Sequence, residues 1–203
     1  AEAEAAARDP RLPSLDRTDL PLVTLDPEGA RDLDQALHIE RRADGFRVFY
    51  AIADVAAFVR PGSALDEEAN RRGATLYGVD RRIPLYPAAI SEEAASLLPD
   101  GDRPALLWTI EVDGSGEGTA LNVERAMVRS RAKLSYAEVQ ADLDSGRADP
   151  KHALLRELGK LRLAMEAARG GVSLPLPEQQ VDLVNGRWVL RFREPLPVED
   201  WNA

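Results

Sequence analysis

The sequence predicts an α+β fold in which antiparallel hairpins pack with separate helices. Strand-like apolar runs come in pairs around short Gly- and Asp-rich turns, and helical periodicity is confined to a few segments. No βαβ rhythm joins the two kinds of element. At 203 residues the chain suits one domain or one large piece of a bigger one, long enough to bury a core unaided.

The elements follow in order. Residues 1–7 alternate alanine with glutamate and are helix-prone, and residues 8–20, rich in Pro, Asp and Arg, read as a linker. Residues 1–20 are therefore expected to be a linker or the end of an upstream element, with structure beginning near Pro21. Residues 21–25 form a short apolar run ending at Asp26, and Asp26-Pro27-Glu28-Gly29 reads as a turn. Residues 33–39 and 46–53 flank Ala43-Asp44-Gly45 as a hairpin. Ser63 caps a helix with Asp66, Glu67 and Glu68 in its first turns, where the dipole favours acid. Ile83-Pro84-Leu85-Tyr86-Pro87 must be an extended loop, since each proline restricts its predecessor. Residues 105–112 and 121–129 flank Gly114-Ser115-Gly116-Glu117-Gly118, which is more simply a hairpin turn than a nucleotide-binding loop. Ser135 with Glu138 forms a capping box for a helix closed by Gly146. Asp149-Pro150 opens another, with Leu154, Leu155, Leu158, Leu161 and Met165 at helical spacing. Asn185-Gly186 between 180–184 and 188–192 is the strongest hairpin signal.

Composition narrows the function classes. Cysteine is absent, which excludes disulfides, thiolate metal sites and cysteine nucleophiles, and a reducing cytoplasm is the expected location. No apolar run approaches the ~18 residues of a membrane span, so no membrane partner is expected. The net charge of −9 argues against a plain nucleic-acid-binding module, although not against a nuclease site of carboxylates and metal ions. His38 and His152 fit no triad or metal spacing and read as surface or core residues; Trp108, Trp188 and Trp201 read as core or interface.

The chemistry lies in Thr24-Leu25-Asp26-Pro27-Glu28-Gly29-Ala30-Arg31-Asp32-Leu33-Asp34-Gln35-Ala36-Leu37. Asp32 and Asp34 are two apart, so on extended backbone they share a face, and a turn at Gly29 can return Asp26 beside them. Three converging carboxylates repel one another, and hard oxygen ligands select Mg2+ or Mn2+. Spacing alone leaves open a solvated acidic loop; the calcium-loop spacing is not met.

The segment resembles the T-x-D-x-x-x-x-x-D-x-D-D-A-L signature of the ribonuclease II (RNB) family. The resemblance continues in order through Ala51-Ile52-Ala53-Asp54-Val55, Arg60-Pro61-Gly62-Ser63-Ala64-Leu65-Asp66 and Arg71-Arg72-Gly73-Ala74-Thr75-Leu76-Tyr77. It then runs through Ile83-Pro84-Leu85-Tyr86-Pro87, Ser96-Leu97-Leu98, Arg129-Ser130-Arg131-Ala132-Lys133-Leu134-Ser135-Tyr136, and Arg169-Gly170-Gly171 with Leu176-Pro177-Glu178. It implies a magnesium-dependent 3′-to-5′ exoribonuclease releasing 5′-mononucleotides from single-stranded RNA. Asp26, Asp32 and Asp34 match the family's metal-binding aspartates, with Asp34 at the position most critical for catalysis. Tyr77 matches a tyrosine that stacks near the RNA 3′ end; without the resemblance it reads as a core or helix-end tyrosine.

Two positions depart from the family. Gln35 replaces a fourth aspartate, so it would be a weaker, uncharged ligand; Leu174 replaces an aromatic opposite the tyrosine, leaving an apolar clamp. The resemblance marks residues 21–203 as the N-terminal part of the catalytic domain. The remaining catalytic half and RNA-binding domains of a parent chain are the expected partners, and this piece alone is expected to be inactive. Arg71, Arg72, Arg81 and Arg82, and Arg129, Arg131 and Lys133, form basic clusters that face either phosphates or neighbouring acids. Two rival readings stand beside the nuclease: a degenerate relative that binds RNA or a protein without cutting, and a domain in which a divalent cation is structural.

Overall fold

The computed structural model describes residues 2–78, 81–99, 101–147, 149–174 and 176–202. The ends of the 1–7 and 21–203 segments, Ala1 and Ala203, lie outside the described residues. Two compact units emerge, Ala1–Ser135 and Tyr136–Ala203.

The first unit is a closed barrel of five strands: β1 (Leu22–Asp26), β2 (Gln35–Arg42), β3 (Gly45–Ala53), β6 (Asp102–Asp113) and β7 (Gly118–Ser135). Neighbours pair antiparallel, except that β1 closes the barrel by running parallel to β7. Five strands leave a narrow interior, and small side chains fill it. Ala36 faces Ala51 across β2–β3, Ala105 faces Ala126 across β6–β7, and all four are essentially inaccessible. Leu22, Phe49, Leu107 and Val128 complete the core. Gly45 begins β3 at φ 147°, where a Cβ would lie 2.1 Å from the Val112 carbonyl oxygen, so only glycine fits that corner.

Order begins earlier than Pro21. Residues 2–8 form helix α1 (Glu2–Arg8), and Ala3 is buried with Phe58 and Ile90. Residues 11–18 lie as a strap against the barrel. The Met127 N–H donates to the Leu15 carbonyl at 2.8 Å, Arg17 N–H donates to Met127 O at 2.9 Å, and Arg11 N–H donates to Ala57 O at 2.8 Å. These single bonds need no alternation of apolar residues, which is why the strap reads as a linker from sequence.

Two other elements exceed expectation. β7 runs on to Ser135 because burial continues with period two through Ala126, Val128 and Ser130, past the point where arginines break the apolar pattern. The proline-rich segment starts in a two-residue strand, β5 (Arg82–Ile83), paired with β4 (Leu76–Tyr77). A π-type helical turn at Ala89–Ala94 follows. Helix α2 (Ala64–Arg72) is capped as expected, the Ser63 side chain accepting from the Asp66 N–H at 3.3 Å.

The second unit holds α3 (Tyr136–Ser145), α4 (Pro150–Ala168), hairpin β8 (Glu178–Val184) with β9 (Arg187–Arg193), and α5 (Pro197–Asn202). Asp149 caps α4 by accepting from the Lys151 N–H at 2.8 Å. Trp201 packs on α4 at Gly159, where a Cβ would fall 2.4 Å from its ring. Trp188 is exposed on β9 rather than in a core, and His38 is buried, stacked on Phe49. Among the described residues no helix is long and apolar enough to cross a membrane.

Candidate active site

The acidic residues gather at one rim of the barrel. β1 ends at Asp26, beside Ser135 at the end of β7. β2 runs antiparallel to β1 with Val23 opposite Leu37, so the end of β1 and the start of β2 share that rim. Asp34 extends the β2–β3 ladder by one bond, its carbonyl accepting from the Ala53 N–H at 2.8 Å. The segment before it is tied down from behind. The Ser96 hydroxyl donates to Arg31 O at 2.6 Å and accepts from the Leu33 N–H at 3.0 Å, while the Leu97 N–H donates to Leu33 O at 2.8 Å. Leu33 is fully buried in the barrel core and its neighbours Asp32 and Asp34 are not. Both acids therefore face away from the core, as their spacing predicts.

Electrostatics place the three carboxyls in one neighbourhood. Partial burial, then Asp34, then Asp32 raise the Asp26 carboxyl from 3.8 to about 6, against a smaller lowering by Lys133. Desolvation also raises Asp34 above the ordinary range, with Asp32 adding to it and a backbone hydrogen bond opposing. One Asp26 oxygen, Oδ2, is buried and accepts no hydrogen bond. Lys133 Nζ donates to the Ala30 carbonyl beside this site.

These charges predict a stability effect in metal-free protein. Because Asp26 holds its proton more tightly folded than unfolded, its stabilising contribution is complete below pH 3.8. That contribution is lost as pH rises through about 6. Asp26→Asn should therefore stabilise the metal-free chain at pH 7.5 by about 1–2 kcal/mol after allowance for solvent, or roughly 2–6 °C in Tm. The gap should close by pH 4. Coincident melting curves at pH 7.5 would sink this reading of the site.

The expected ligands are brought near one another without closing into a cage. Among the described residues no three His, Cys, Asp or Glu side chains converge as a ready metal site. Asp32 is drawn aside by Arg82, whose Nη1 lies 2.8 Å from its Oδ2. The same guanidinium bonds Glu92, and the Asp32 hydrogen bond raises its pKa further. Gln35 Oε1 accepts a hydrogen bond from the Tyr50 hydroxyl. Tyr77 is 76% exposed on β4, which removes the reading of it as a core residue and leaves an aromatic face open to solvent. Leu174, in the second unit, is also exposed. Sequence reasoning gave no role to Glu92, Tyr50 or Ser96, the last appearing only within the Ser96-Leu97-Leu98 block of the resemblance. Ser96 alone left a trace, as a single hydroxyl inside the apolar run of residues 94–98.

A family profile described as the RNB domain matches residues 15–194, most of the chain. The chain belongs to the RNB family. Ribonuclease R of Vibrio parahaemolyticus is 35% identical over 172 residues, which are 82% of this chain and 21% of that protein. Ribonuclease R of Acidithiobacillus ferrooxidans is 42% identical over 128 residues, 63% of this chain and 29% of that protein. The exosome complex exonuclease RRP44 of Homo sapiens is 36% identical over 162 residues, 77% of this chain and 17% of that protein. The chain thus spans less than a third of the length of these relatives.

Solved structures of an RNase R and of a yeast pseudonuclease share its fold. Mycoplasma genitalium RNase R in complex with ribose-methylated single-stranded RNA superposes with a TM-score of 0.89 at 24% identity. The match covers 98% of this chain and 34% of that one. Yeast Ssd1, described as a pseudonuclease, superposes at 0.65 with 18% identity over 76% of this chain and 19% of that one. The α+β architecture expected from hairpins and separate helices is therefore that of an RNB domain.

Proposed function

We propose that this RNB chain contributes the acidic half of the active site of a 3′-to-5′ exoribonuclease that hydrolyses single-stranded RNA to 5′-mononucleotides. The observation that carries the reading is the Asp26 carboxyl. It is half-buried beside two other acids, burial and then those acids raise its pKa, and one of its oxygens lacks a hydrogen-bond donor. A divalent cation would supply what that oxygen lacks, and the all-oxygen donor set suits Mg2+ or Mn2+. Asp26, Asp32 and Asp34 would hold it, with Gln35 as an uncharged auxiliary. When bound, such ions activate water and neutralise charge on the leaving 3′ oxygen.

The chain's own residues do the rest. Ser96 and Leu97 fix the backbone that presents Asp32 and Asp34, so the carboxylates need little reorganisation. Tyr77 offers one exposed ring for a terminal base, worth ~1–3 kcal/mol per stacked base and indifferent to base identity. The names of the relatives, ribonuclease R and exosome exonuclease, support the reaction class.

The test uses the longest natural polypeptide that carries this chain. Single-stranded RNA labelled at either end should release labelled mononucleotide first from the 3′ label, with Mg2+ and not with EDTA. RNA that is bound but stays intact would favour a second reading, a relative that binds without cutting. That reading draws on Gln35 being engaged by Tyr50 and Asp32 by Arg82, which leaves fewer ready ligands. Gln35→Asp separates the two further. It should lower the Mg2+ needed for half-maximal cleavage about 3–10-fold by adding a charged ligand; an unchanged titration would place Gln35 outside the metal site.

A further inference from the structure

Arg82 stands between the acidic rim and the hairpin that carries Tyr77. Its Nη1 donates to Asp32 Oδ2 at 2.8 Å, and its Nη2 donates to Glu92 Oε1. Glu92 sits on the helical turn Ala89–Ala94. In the β4–β5 register Arg82 is the direct cross-strand partner of Tyr77. The base of the hairpin is held separately, by Arg72 Nη1 donating to Pro84 O at 2.8 Å and the Leu85 N–H donating to Thr75 Oγ1 at 3.1 Å. One guanidinium fork therefore spans two carboxylates. One lies on a fixed helical turn, and the other is a proposed cation ligand.

The two demands on Asp32 conflict. A guanidinium and a divalent ion are both cationic and seek the same carboxylate, so each raises the cost of the other. Glu92 gives Arg82 a partner to keep when Asp32 is taken, and would leave one arm of the fork unengaged on the strand paired with Tyr77. A planar fork of N–H donors matches phosphate geometry.

Building on the metal-site reading above, we propose that Arg82 is a positioning residue that competes with the divalent cation for Asp32. Cation binding transfers the guanidinium from Asp32 to the backbone phosphate next to the base stacked on Tyr77. The metal-free rim is thereby neutralised by an internal cation, and metal loading readies the hairpin for RNA.

The proposal is tested without catalysis, on the longest natural polypeptide that carries this chain. Mn2+ binding is followed by electron paramagnetic resonance for wild type, Arg82→Gln, Arg31→Gln, Asp32→Asn and the double variant Asp32→Asn/Arg82→Gln. Arg31 serves as a charge control, since its Nε lies 3.9 Å from Glu92 on the same surface and, among the described residues, its side chain forms no ion pair with Asp32. Arg82→Gln should tighten Mn2+ binding about 3–10-fold, Arg31→Gln less than about twofold, and Arg82→Gln should have no further effect once Asp32 is asparagine. In parallel, affinity for a short 2′-O-methyl oligonucleotide should fall about 3–10-fold in Arg82→Gln when Mn2+ is present and stay unchanged in EDTA. Equal tightening by Arg31→Gln, an effect that survives in Asp32→Asn, or RNA loss that ignores Mn2+ would each overturn the role of Arg82. Wild type that binds Mn2+ with the affinity of Arg82→Gln removes this proposal and leaves the metal site standing. Failure of every variant to bind Mn2+ removes both.

Discussion

Replacing Asp34 with asparagine is expected to lower RNA hydrolysis by about three orders of magnitude or more, while RNA affinity changes less than about tenfold. The side chain lies at the rim where β2 begins, and what holds the residue is backbone: the Ala53 N–H on its carbonyl and the buried Leu33 behind it. An amide of the same shape therefore leaves the barrel intact and removes one negative charge. Folding supplies a control. Desolvation and Asp32 already disfavour the charged form of Asp34, so the asparagine variant should melt no lower than wild type in EDTA. Loss of activity with an unchanged or raised Tm identifies chemistry. Activity within tenfold of wild type would place the reacting phosphate elsewhere.

How much of this was legible depended on whether a signal was local. The two-residue spacing of Asp32 and Asp34 foretold their shared face, and Asn185-Gly186 foretold the β8–β9 register, because each rests on backbone geometry within a few residues. Closure of the barrel was not legible. β1 pairs in parallel with β7, Leu22 lying opposite Ser130, across more than a hundred residues with no periodic link between them. The strap at residues 11–18 was hidden for a related reason, since its bonds go to an isolated carbonyl at Ala57, beyond the end of β3, and to the carbonyl and amide of Met127 on β7. At the site, the acids announced themselves by composition, whereas Ser96, Glu92 and Tyr50 act through contacts made only after folding. Arg82 fell between these cases. Its charge was visible, but its choice of Asp32 over a phosphate or solvent depends on where a two-residue strand lies.

The strap and the rim meet at Asp54 and Arg125, and breaking that pair is expected to cost more stability than any other single change proposed. The Asp54 side chain is 3% exposed, and Arg125 Nε donates to its Oδ2 at 2.7 Å, with Nη2 on the same oxygen. The same Nη2 donates to Arg11 O at 3.2 Å, so the guanidinium also fastens the strap. Asp54 directly follows Ala53, whose N–H holds Asp34, and its own N–H donates to Pro104 O at 3.0 Å. Arg125→Met keeps much of the stem's packing and leaves the carboxylate buried without its cation. Because Arg125 itself is half exposed, the expected loss is about 2–4 kcal/mol rather than the larger cost of a fully buried pair, or roughly 4–15 °C in Tm. Removing both charges with Asp54→Leu/Arg125→Met should recover most of that loss, since no unpaired carboxylate then remains. If the single variant melts within about 1 kcal/mol of wild type, the pair is solvated and the strap is held by its backbone bonds alone. A large loss that the double variant rescues would show instead that the acid next to the Asp34 anchor keeps its place only while a cation from β7 accompanies it. The rim that presents the three site aspartates would then depend on a charge pair outside the site.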